Sequence, residues 1–72
     1  MTATDTTARI TLDISTDTRT HEEFVIIDAL EEYASTHRWR AEDGDNAVFL
    51  NELADAADRL RAAIQQQLDN AR

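Results

Sequence analysis

Between Phe49 and Leu68 the apolar side chains recur at steps of three and four. At about 100° per residue, Phe49, Leu50, Leu53, Ala56, Ala57, Leu60, Ile64 and Leu68 fall in one stripe roughly 120° wide. Asn51, Asp55, Asp58, Arg59, Ala62, Gln66 and Asp69 occupy the far side. This pattern predicts one long amphipathic helix over residues 45–70. Positions 50, 53, 57, 60 and 64 follow a heptad seam for close to two repeats, and Gln67 holds the next seam position. A freestanding coiled coil needs about three or four heptads, so this stripe suits a helix laid on another helix. Val48 projects about 160° from the stripe centre, either exposed or touching something outside the pair. Upstream, Asp43, Gly44, Asp45 and Asn46 surround the only glycine. Asp and Asn are favoured N-caps, and acidic groups suit the positive pole of a helix.

A second helical pattern runs from His21 to Arg38. Ile26, Ile27, Leu30, Tyr33, Ala34 and His37 share one face, and Asp28, Glu31, Glu32 and Ser35 fill the other. Thr20 and Glu23 have the spacing of a capping box, which predicts a helix over 20–38. Phe24 and Val25 lie outside the stripe, so the start of this helix is apolar nearly all round and needs cover on several faces. The link Trp39 to Gly44 is short, which predicts an antiparallel helical hairpin. Trp39, flanked by Arg38 and Arg40, is expected either as a lid on the open end of the hairpin or as an interaction hot spot.

Ahead of the helices, Arg9 to Ser15 alternate strictly. Ile10, Leu12 and Ile14 point one way, and Arg9, Thr11, Asp13 and Ser15 the other, as in a half-buried strand over 9–15. No second strand is evident to pair with it, and an unpaired strand exposes a row of N–H and C=O groups. Three arrangements would satisfy it: pairing with the same strand of a second subunit, addition to a sheet on another protein, or an extended arm packed on the helices. Residues 1–8 are polar and Thr-rich and predict a disordered tail. The expected fold is therefore mainly α, an N-terminal strand or extended arm followed by an antiparallel two-helix hairpin, in one small domain over 9–72. Residues 10–27 carry more apolar surface than one further helix can cover, so a dimer is expected.

Composition sharpens this. Seventy-two residues make one domain at most. A core of this size rarely contributes more than about 3–5 kcal/mol. With no cysteine there is no disulfide to add. Oligomerisation is the remaining common remedy. No apolar run approaches the roughly 18 residues of a membrane span, and no signal-like segment follows Met1, so a soluble cytoplasmic protein is expected. The formal net charge of −8 opposes non-specific binding to nucleic acid or anionic lipid. It leaves room for a basic partner or for imitation of DNA, and it also serves solubility alone. All seven basic residues are arginine. Lysine codons are AT-rich, so this usage points to a GC-rich genome, that of an actinobacterium, one of its phages or a haloarchaeon. In a halophile the acidity would be a habitat trait.

Candidates for chemistry are few. His21 and His37 lie more than about four turns apart on one helix and cannot share a metal. His37 is expected to be packed and hydrogen-bonded, and His21 solvated. Asp43, Asp45 and Asn46 lack the alternate-ligand spacing and distal Glu of a calcium loop. Glu22, Glu23, Glu31 and Glu32 sit where solvated faces are the norm, and one glycine makes no phosphate loop. No catalytic, cofactor or metal residue is expected, and the protein is not expected to be an enzyme.

The order strand, helix, glycine turn, helix resembles the ribbon-helix-helix repressors. That resemblance implies paired strands entering the DNA major groove, with Arg9, Thr11 and Asp13 facing it. Asp13 would then meet phosphate or base edges with the wrong sign. The paired helices are also similar to the small secreted WXG proteins, but Arg40 and Ala41 follow Trp39 where that family's turn has a glycine. The sequence points to a small acidic, non-catalytic interaction or regulatory accessory protein, a homodimer of phage or GC-rich microbial origin. Its expected contacts, with itself and with a further protein, are Ile10, Leu12, Ile14, Phe24, Val25 and Trp39. An acidic DNA mimic that inhibits a nucleic-acid-binding protein is the alternative, and a ribbon-helix-helix-like DNA-binding regulator the second. Neither a nucleic acid nor a membrane is an expected partner.

Overall fold

A computed structural model describes residues 7–71. The expected disordered tail, 1–8, falls largely outside that range. Two helices dominate, α1 (Glu22–Ala41) and α2 (Ala47–Ala71), joined by a five-residue turn over 42–46 and packed as a hairpin. The hairpin predicted from periodicity and the short link is therefore present. Both helices extend beyond the expected C-terminal bounds, and Trp39, Arg40 and Ala41 continue α1.

The start of α1 differs from the expected capping box. Thr18–Thr20 form a single 3-10 turn capped by Asp17, whose carboxylate accepts from the Arg19 N–H at 2.9 Å. Thr20 belongs to this turn, and its hydroxyl donates to the Asp17 carbonyl at 2.8 Å. His21 takes the cap position instead, in the left-handed region at φ 61°, with no side-chain hydrogen bond to the first turn. Its carbonyl accepts from Val25 N–H at 2.9 Å. The Thr20 hydroxyl also accepts from the Glu22 N–H at 3.4 Å, because the 3-10 turn moves the helix start to His21 and brings that amide within reach. A side chain with a Cβ pays roughly 1–2 kcal/mol in the left-handed region, part of which glycine returns as unfolded-state entropy. His21→Gly is therefore expected to stabilise the fold by about 0.5–1 kcal/mol, read from denaturant midpoints. A loss of stability would show that the imidazole contributes more than its backbone strain costs.

Gly44 does not use its conformational freedom, because no glycine has a positive φ. A Cβ there would stand 3.3 Å from the Arg40 carbonyl oxygen. Gly44→Ala exchanges that tight contact for a less flexible unfolded chain, a gain of about 0.4–1 kcal/mol. The two nearly offset, and the unfolding midpoint is expected to shift by less than about 1 kcal/mol in equivalent stability.

The helices meet through alanine. Ala34 of α1 packs with Ala54 and Ala57 of α2, and Leu30 leans against this cluster. Ala54 is 0% exposed. Ala41 and Leu68 complete the buried set, and no large side chain among the described residues is fully buried. Small side chains let two helix backbones approach closely. Ala54 lay outside the apolar stripe expected for this helix, so α1 meets α2 about 60° to one side of the stripe's centre. Phe49 and Leu60, both on the stripe, are left 57% exposed.

The expected strand over 9–15 is not formed. Among the described residues there is no strand, and residues 7–17 run without regular secondary structure to the 3-10 turn. Ser15 N–H is bound by the Glu22 carboxylate at 2.8 Å, and Asp17 N–H by the Ser15 hydroxyl at 3.2 Å. A strand needs a neighbouring strand, and the described chain offers none. The principal extents of 42 × 39 × 15 Å describe a flat molecule.

Candidate interaction surface

The two broad sides of the hairpin differ in chemistry. On one, Arg38 reaches from α1 to two carboxylates of α2, with its Nη2 2.8 Å from Asp55 and 2.6 Å from Asp58. Both hydrogen bonds, Asp58's first, raise the Arg38 guanidinium above its ordinary range and hold it charged. Glu31, Ser35, Trp39, Glu42 and Arg61 surround this pair in an open, polar cleft. At the start of the hairpin Asp17 is bound by Arg19, with 2.7 Å between Arg19 Nη2 and the carboxylate. That pairing lowers the Asp17 carboxyl below the usual carboxylate range. Its contribution is complete above the ordinary carboxylate range and is lost as the pH falls through the lowered value.

The opposite side is apolar. Ile26 and Tyr33 lie seven residues apart on α1, and Leu53 and Leu60 seven apart on α2, so each pair occupies nearly one line along its helix. Ile26 and Leu60 line one groove, which places the two lines on the same side of the hairpin. Tyr33 remains exposed, with its ring stacked on His37 at 3.9 Å between centroids. His37 is half-buried, and its Nδ1 donates to the Tyr33 carbonyl at 2.7 Å, the packed role expected for it. His21 is exposed.

The arm forms one wall of the apolar groove. Ile10, Leu12 and Ile14 stand on one side, and Ile26, Leu60 and Ile64 on the other, around about 570 Å³ of open space. Ile10 is 84% and Leu12 66% exposed, whereas Ile14 is half-buried. The alternating residues of the arm thus come together with the apolar side of the hairpin. The other three expected contact residues do not join them. Phe24 lies beside His21, Ile27 and Gln65 in a separate cleft near the 3-10 turn. Val25 is exposed and projects away from the α2-facing side of α1. Trp39 is exposed on the polar side, so it is no lid on the open end. Val48 is exposed as well. Phe49, Leu53 and Leu60 were read only as the cover for the first helix. Their width was the missed signal, because a stripe some 120° wide exceeds what one crossing helix hides.

Among the described residues no three His, Asp or Glu side chains stand together as a metal site, and no helix is long and apolar enough to cross a membrane. Comparison with protein-family models, with curated proteins and with solved structures returned no match to this chain.

Proposed function

We propose that this chain is a small, non-catalytic interaction protein whose working form is a homodimer. The observation that carries the reading is the flat hairpin with one apolar side uncovered, where Phe49 and Leu60 are 57% exposed. Stable domains are built from at least two packed layers around a core. Here one chain supplies one layer, and a second copy supplies the other.

Two quantities support it. The interior between the helices is chiefly alanine, and each alanine brings little apolar area to the core. The accessible surface is also large for a compact chain: it amounts to 6012 Å², while a compact protein of 8.1 kDa exposes about 4,500 Å², and the exposed arm over 7–17 contributes to the difference.

Light scattering at micromolar concentration and two salt levels tests this. The expected mass is twice 8.1 kDa. Each copy carries −8, so salt screens repulsion between copies and the dimer tightens as salt rises. Imitation of DNA predicts the reverse for a basic partner, because ion-paired binding falls with salt. The tie of Asp55 and Asp58 to Arg38 also neutralises part of the acidic surface that such mimicry would use. A monomer at every concentration and salt level would overturn the dimer.

A further inference from the structure

Within that dimer, and resting on it, we infer that the second copy packs α2 against α2, antiparallel, through a seam that α1 leaves open. The seam is Phe49, Leu53, Ala56, Leu60, Ala63 and Gln67. Its steps are 4, 3, 4, 3, 4, the spacing of alternate a and d positions of a heptad. It lies roughly 110° round the helix from the line that meets α1, close to the turn between neighbours in a four-helix arrangement. Every one of its residues is exposed or half-buried.

The order of sizes along the seam selects the direction. Placing a two-fold axis level with Asp58 sets Phe49 opposite Gln67 of the partner subunit, Leu53 opposite Ala63 of the partner subunit, and Leu60 opposite Ala56 of the partner subunit. In the two aliphatic layers a large side chain then meets alanine, the alternation that fills a core without voids. A parallel pairing sets Phe49 and Leu60 each against its own copy and leaves alanine facing alanine at Ala56 and Ala63, overfilled at some layers and hollow at others. The antiparallel register has a second consequence at the arm. The partner's Phe49 arrives beside Leu60, Ala63 and Gln67, where the groove walled by Ile10 and Leu12 stands open.

The chain has no cysteine, so single introduced thiols report the register. In the antiparallel arrangement Arg59 flanks the seam level with its own copy, while Ala63 stands ten residues, or about 15 Å along the axis, from its own copy. R59C and A63C proteins are treated with a bis-maleimide spanning about 8 Å and resolved on denaturing gels, with light scattering on the same samples. The expected result is a cross-linked dimer for R59C and none for A63C. Cross-linking of A63C without R59C would replace the antiparallel seam with a parallel one, and equal cross-linking of both would mean unspecific association. No cross-link at either site in a sample that scatters as a dimer would overturn this interface and leave the dimer standing. A monomer in scattering would overturn the dimer itself.

Discussion

Leu60→Asp is expected to turn the proposed dimer into a monomer. Leu60 is 57% exposed and lies off the line that meets α1, so a single chain barely uses it. Across a two-fold interface the substitution acts twice. Each copy loses about half of the roughly 1.5–3 kcal/mol of full leucine burial, before any cost of bringing a carboxylate into the seam. At 1.4 kcal/mol per tenfold, dissociation should become at least about 10-fold easier. Sedimentation equilibrium measures the constant, and far-ultraviolet circular dichroism at high protein concentration checks the helix content. Leu60→Asp with unchanged association would remove α2 from the interface. Trp39→Ala serves as the contrast: it lies on the polar side, and association should stay within about threefold of the parent, less than the roughly 1 kcal/mol that marks an interface contact.

Ala54→Leu should have the largest effect on the hairpin itself. Ala54 is fully buried between the helices, against Ala34 and Ala57. Three added carbons have no space there and must push α1 away from α2. Overpacking of this kind typically costs about 1–3 kcal/mol. In a chain of this length each kcal/mol moves the melting temperature by about 4–8 °C, so a fall of roughly 5–20 °C is expected. Ala62→Leu adds the same carbons to an exposed position of α2 and should leave the melting temperature nearly unchanged. Equal behaviour of the two variants in thermal denaturation would show that the alanine contact is not tightly packed.

The contrast between Ala54 and Ala62 also explains what the sequence could and could not disclose. Two helices and their antiparallel course were legible, because period and link length are local properties. The direction in which α1 meets α2 was not. On a helical wheel Ala54 lies about 40° beyond the edge of the stripe and Ala62 opposite its centre, and only the approach of a second backbone shows that Ala54 is buried. Large side chains drew the stripe, yet small ones made the contact, so Phe49 and Leu60 were assigned to a partner helix that does not cover them. The Thr20 capping box failed because a 3-10 turn over Thr18–Thr20 moves the cap to His21, so the Thr20 hydroxyl accepts from the Glu22 N–H. The alternation of Ile10, Leu12 and Ile14 was plain, but the strand it predicted is not formed, and these residues instead line one wall of the groove. What those residues pair with was illegible, because nothing in the described chain supplies it.

An alanine interior has a consequence for the life of the molecule in a cell. If the proposed dimer is the working form, a lone chain gains little from closing on itself, and the native population would be governed by mass action, through the encounter of two copies. Freshly made protein at low copy number would spend much of its time open to proteases. Above a threshold of synthesis it would become long-lived, so that the dose of its gene, more than any ligand, would decide whether it persists.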